Sequence, residues 1–157
     1  MMEQIYIYFT TETIYFWLNI GILPFWLILI FFPDSKICKI LITSIFPVTI
    51  LSAIYLYLIF EFSKTGFNFL NIFNLYLGLN ELADLFSEKN YIILFWIHFL
   101  GINLFCGSWI TKDSQKFNMP KFITFIPLLL TYFLGPLGIF LYWIIRIFFS
   151  KKIDLYE

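Results

Sequence analysis

The stretch YIILFWIHFLGINLFCGSWITKD, residues Tyr91 to Asp113, decides how this chain is built. From Tyr91 to Thr111 it carries no charged side chain. At about 1.5 Å of rise per residue, a helix over that run crosses the roughly 30 Å of a bilayer's hydrocarbon. The same run holds the chain's single histidine, His98, together with Asn103, Cys106 and the glycines Gly101 and Gly107. Trp96 and Trp109 bracket the set. A plain anchor needs none of these residue types.

Composition extends this reading to the whole chain. Of 157 residues, 61% are hydrophobic, 24% aromatic and only 13% charged, against roughly 25% charged in soluble domains. The mean hydropathy is +0.88. A soluble fold of this length has too little interior to hide so much apolar surface, so the expected class is an all-α integral membrane protein. Ten basic and ten acidic residues cancel, which leaves no electrostatic footprint for nucleic acid. Two cysteines, Cys38 and Cys106, are too few for a disulfide framework and are expected to be unpaired. The N-terminal stretch has no basic residue before its first apolar run, so it does not read as a cleaved signal, and the first span is expected to be retained. Richness in Phe, Ile, Tyr, Asn and Lys points to a bacterial inner membrane or an organellar (plastid) membrane.

The uncharged runs place four spanning helices at about 14–32, 40–60, 91–111 and 122–145, in one transmembrane domain without repeats. Pro24 is expected to kink the first, and Pro47 lies in the first half of the second. Between the second and third, at about 67–87, Asn68, Asn71, Asn74, Gly78, Glu81 and Glu88 recur at helical spacing beside Leu70, Phe73, Leu77 and Leu85. That pattern suits an amphipathic helix lying in the interface. In the fourth span Thr124, Thr131, Gly135, Gly138 and Tyr142 share one face, where small residues let backbones approach. Arg146 ends that face and is expected to snorkel to the headgroups. On this four-span topology the lysines and arginines divide evenly between the two sides. Glu3 and Glu12 before the first helix, with Lys36 and Lys39 after it, favour both termini outside.

The candidate chemistry sits in the opening stretch. A histidine below the interface can act as a proton acceptor or a ligand, or serve as a neutral imidazole bonded between helices, worth about 1 kcal/mol. A metal site is not expected, since there is one histidine and the spans hold no carboxylate. His98 and Asn103 are about 140° apart on a helix, so they face different neighbours. Asn19 in the first span is a hydrogen-bond partner for either. Asp113, just past the run, reads as a solvated loop residue.

Trp96-Ile97-His98-Phe99-Leu100, Asn103-Leu104-Phe105-Cys106-Gly107-Ser108-Trp109-Ile110 and Asp113 resemble the W-V-H-Y-L-x-x-D-L-F-x-G-x-W-I-x-x-D signature of the ABA4-like family. The resemblance continues through Pro127 and Phe133-Leu134-Gly135-Pro136-Leu137-Gly138 to Arg146, and upstream through Asn19 and Leu23-Pro24-Phe25-Trp26. It implies a four-helix membrane fold and a link to carotenoids, plant members being associated with forming neoxanthin from violaxanthin. It also implies His98, Asn103 and Asp113 as catalytic candidates, and Asn19, Trp26, Trp96, Gly107, Trp109 and Arg146 as substrate-binding candidates. Converting an epoxide to an allenic alcohol requires proton removal from carbon and an acid at the epoxide oxygen. At position 103 the chain departs from the family pattern, with Asn in place of Asp, and an amide does not transfer protons at ordinary pH. Two functions therefore stand side by side. One is a protein that modifies or binds a carotenoid within the lipid. The other is a non-enzymatic subunit assembled with partner membrane subunits of a photosynthetic or respiratory complex. No cofactor is specified by the residues.

Overall fold

The computed structural model describes residues 10–66 and 68–150, and among them every regular element is helical. Helix α1 (Thr11–Phe31) starts where the Thr10 hydroxyl accepts the Thr13 amide at 3.3 Å, an ordinary N-cap. A short π-helix (Cys38–Ile42) precedes α2 (Phe46–Lys64). A 3-10 helix (Phe69–Tyr76), α3 (Leu79–Leu85), α4 (Lys89–Lys116), α5 (Lys121–Leu134) and α6 (Pro136–Ser150) follow. Three of these, α1, α2 and α4, are long and apolar enough to cross a membrane.

Four sequence expectations change in detail. The second long helix begins at Phe46 rather than near residue 40, with Pro47, which lacks an amide hydrogen, in its first turn where none is needed. The amphipathic region is two short helices separated at Gly78. Leu70, Phe73 and Leu77 stand exposed there, while Leu85 is buried. Helix α4 runs on past residue 111 to Lys116, so Asp113 is helical and buried instead of lying in a solvated loop.

The fourth difference is the largest. Where one span over 122–145 was expected, the chain forms two helices folded back on each other. Gly135 adopts φ +52°, a left-handed conformation that ends α5 and turns the chain, and Pro136 opens α6. Gly138 then lies against the Thr131 amide and hydroxyl and the Pro127 carbonyl, so close that a Cβ has no room. The face shared by Thr124, Thr131, Gly138 and Tyr142 is real and buried, as the spacing indicates. It is the inner seam of a hairpin. The Thr131 hydroxyl is bonded to the Pro127 carbonyl at 2.8 Å, which keeps that seam free of unmet polar groups.

The described residues fall into two compact units, 10–21 with 50–100 and 22–49 with 101–150. In the first, Glu12 and Lys89 form an exposed ion pair and the buried Tyr91 bonds the Asn68 carbonyl. The second contains the hairpin. There Ser108 on α4 bonds the Ile42 carbonyl at the end of the π-helix, at 3.2 Å.

Candidate functional site

In the second unit, α6 lines up beside the C-terminal half of α4. The Tyr142 hydroxyl donates to Asp113 Oδ2 at 2.7 Å, and Arg146 Nε donates to the same oxygen at 2.7 Å. Tyr142 is fully buried, Arg146 is 3% exposed and Asp113 9%. The two partners follow each other by one helical turn on α6, so a single face presents both to one carboxylate. Aromatic rings close over the cluster. Trp109 meets Tyr142 edge-on at 5.5 Å, and the guanidinium lies 4.9 Å from the centre of the Phe117 ring and 5.1 Å from that of Trp143. The rings supply a cation–π environment for a charge taken out of water. Arg146 therefore does not snorkel: the turn at Gly135 brings it back to Asp113, and pairing in a dry setting replaces the headgroups.

A second constellation surrounds the tip of the hairpin. Asn103 is 4% exposed and its amide lies against Gly135, where a Cβ would stand 2.6 Å from Asn103 Oδ1. One turn along α4, Gly107 receives the Trp26 ring of α1, and a Cβ there would lie 2.7 Å from Trp26 Cη2. Trp26, 2% exposed, also packs edge-on against Tyr132 at 5.3 Å. Two buried donors in this group, Trp26 Nε1 and Asn103 Nδ2, have no hydrogen-bond partner. Leaving such a donor unmet costs about 1–3 kcal/mol.

The first unit holds the remaining candidates. Trp96 Nε1 donates to Asn19 Oδ1 at 3.3 Å, and Asn19 Nδ2 donates to the Tyr15 carbonyl at 2.7 Å. Trp96 stacks on Phe99 at 5.4 Å and approaches Tyr15 at 5.9 Å. Asn19 thus has Trp96 for its partner. His98 is exposed on α4. Within the second unit, then, Asp113 joins Arg146 and Trp109, and Trp26 joins Gly107 beside Asn103. Within the first, Asn19 joins Trp96.

Tyr142 was missed as a site residue by sequence reasoning, although its place on the small-residue face was legible. The spacing Asp113, Tyr142, Arg146 has meaning only once the hairpin is known. Among the described residues, no group of three or more His, Cys, Asp or Glu is gathered to hold a metal ion. At the C-terminal end of α4, an open polar cleft of about 490 Å³ is lined by Asp34, Lys39, Gln115, Asn118 and Lys121, among others. Asp34 pairs there with Lys121 at 2.8 Å, which with its hydrogen bonding holds the carboxyl below its usual range. Nearby, burial raises the Cys38 thiol to about 11.

A family model described as ABA4-like (ABA DEFICIENT 4-like) matches residues 13–142. No curated protein and no solved structure matches the chain.

Proposed function

Because the chain belongs to the ABA4-like family, we propose that it is an integral membrane protein that binds and isomerises an oxygenated carotenoid. The observation that carries this reading is the Asp113–Tyr142–Arg146 cluster. Burying a carboxylate, a phenol and a guanidinium in an otherwise apolar body is expensive, and an anchor has no use for it. The chemistry matches an epoxide-to-allene isomerisation. A proton leaves carbon, the adjacent C–O bond breaks, the oxygen becomes a hydroxyl, and the formula is unchanged. Asp113 is the proton-accepting group of the cluster, and Tyr142 and Arg146 are its donors. The exposure of His98 on α4 supports a contact with a molecule dissolved in the bilayer.

The test is expression in a host that accumulates epoxycarotenoids, followed by pigment chromatography. Wild type is expected to convert or retain a pigment, with Asp113→Asn and Tyr142→Phe losing conversion. An unchanged pigment profile and no co-purifying pigment would overturn the reading. A second reading, a small subunit of a larger membrane assembly, is favoured by the exposed apolar Leu70, Phe73 and Leu77. Native mass spectrometry after gentle extraction distinguishes it.

A further inference from the structure

The open polar cleft at the end of α4 plays no part in the cluster around Asp113, and three segments of the second unit build it. Helix α4 stops where Asn118 takes a left-handed conformation, φ 51°, and the Met119 amide reaches back to the Ser114 carbonyl at 2.9 Å, a Schellman-type close. Pro120 follows, and Lys121 is the first residue of α5. On another wall, the Gln115 amide donates to the Pro33 carbonyl at 2.9 Å and to Asp34 Oδ1 at 3.3 Å, which ties the segment after α1 to α4. The π-helix beyond that segment carries Lys39 and is held at its end by Ser108 through the Ile42 carbonyl. Among the lining residues Ser114, Met119 and Thr124 are buried, and both hydroxyls are already bonded to carbonyls of their own helices. The exposed polar side chains of the cleft are Asp34, Lys39, Asn118 and Lys121.

The charge around the cleft is one-sided. Residues 22–49 and 101–150 carry six basic side chains, Lys36, Lys39, Lys112, Lys116, Lys121 and Arg146, against two acidic ones, Asp34 and Asp113. Asp113 is paired with Arg146 and Asp34 with Lys121. Lys39 lies within electrostatic reach of Asp34 and forms no ion pair among the described residues. Asp34 is thus the one carboxylate of the cleft, beside two lysines. Exposed hydrocarbon borders both: Ile40, next to Lys39, is 74% exposed, and Phe122, next to Lys121, 90%. Helix α4, long and apolar enough to cross a membrane, passes here from its uncharged run to Lys112 and Lys116, the depth at which headgroups lie. We propose that this cleft binds the phosphate of an anionic phospholipid headgroup. Lys39 and Lys121 supply the charge and the Asn118 amide a donor. Asp34 holds Lys121 until the phosphate takes its place, and the acyl chains lie along Ile40 and Phe122. A soluble anion would make no use of that hydrocarbon. The volume, about 490 Å³, falls in the range of ordinary ligand pockets, roughly 300–1,000 Å³.

This site is independent of carotenoid binding. Purified wild type in a neutral detergent is titrated with dioleoylphosphatidylglycerol or with zwitterionic dioleoylphosphatidylcholine, and bound lipid is counted by native mass spectrometry. Retention of phosphatidylglycerol is expected to exceed that of phosphatidylcholine by about fivefold or more, the effect of a lysine beside an anionic headgroup. Lys39→Gln and Lys121→Gln should each lower that preference about two- to fivefold. Asp34→Asn, which removes the competing carboxylate, should raise it. Lys36→Gln and Lys112→Gln remove the same charge from side chains that do not line the cleft, and should leave the preference unchanged. All five of these side chains are exposed, so the variants keep the fold. Equal losses at the four lysines would mean diffuse surface attraction and would overturn the site. A wild type without preference, or a weaker one in Asp34→Asn, would do the same. In a separate arm, thermal midpoints are read with inorganic phosphate alone and with phosphatidylglycerol alone. A rise with the lipid only supports the headgroup, whereas an equal rise with inorganic phosphate would assign the cleft to a soluble anion and overturn the lipid assignment.

Discussion

Asp113 and Arg146 are 33 residues apart in the chain and meet at 2.7 Å, both almost wholly withdrawn from solvent. Their pairing fixes the second arm of the hairpin against α4. Breaking a buried pair leaves one charge uncompensated and typically costs about 3–5 kcal/mol. Arg146→Leu or Asp113→Asn alone should therefore lower thermal stability in detergent sharply. The double substitution Asp113→Leu/Arg146→Leu should recover much of the loss, since it leaves no lone charge. Unfolding midpoints of the three variants decide this, and a double variant less stable than both singles would refute it.

The glycines should separate by what surrounds them. Gly138→Ala places a methyl group on the backbone of Thr131 and Pro127, which cannot move aside, so a loss of about 1–3 kcal/mol is expected. Gly107→Ala meets side chains rather than backbone, the Trp26 ring first and Leu29 Cδ1 at 3.5 Å, and should cost less. Gly21, inside α1, has nothing within 4 Å of its missing Cβ. Gly21→Ala should stabilise by about 0.5–1 kcal/mol through helix propensity. Thermal midpoints in one detergent test the order.

Cys38 should be inert in the folded protein. Its side chain is fully buried and its thiol is raised to about 11, so almost no thiolate exists near pH 7.5. In a Cys106→Ser background, maleimide modification followed by mass spectrometry should detect no adduct until denaturant is added. Rapid labelling under native conditions would contradict the packing at the π-helix.

The Asp34–Lys121 pair predicts a small acid sensitivity. The carboxyl is depressed first by its hydrogen bond with Lys121. A depressed folded value means that the contribution is present above the unfolded value, near 3.8, and is lost as pH falls through the folded one. Both partners are more than half exposed, so the effect is about 0.5 kcal/mol or less and fades with salt. Asp34→Asn should remove that part of the pH dependence below pH 4, as read from unfolding curves at two ionic strengths.

Much of the molecule is written in local patterns. Uncharged apolar runs gave α1, α2 and most of α4, because partition into lipid depends on side chains summed along a segment. Periodicity gave the buried pairs Thr124 and Thr131 on α5 and Gly138 and Tyr142 on α6, because a helix repeats every 3.6 residues, but it joined them into one helix face where the structure has two helices meeting at a seam. The ABA4-like resemblance was legible in the motif from Trp96 to Asp113.

The turn at Gly135 was decided by tertiary structure. Hydropathy measures how willingly a segment leaves water and is blind to whether it crosses or doubles back. Gly135-Pro136 in mid-run was the one local sign, and it is equally compatible with a kink. Once the chain reverses there, Arg146 stops being a headgroup anchor and becomes the partner of Asp113. Tyr142 joins the same carboxylate, and Asn103 comes to rest at the hairpin tip. Local pattern settled that three of these helices are long and apolar enough to cross a membrane and which faces they bury. Packing alone determined which polar groups meet, because contacts between residues tens of positions apart depend on where the chain turns.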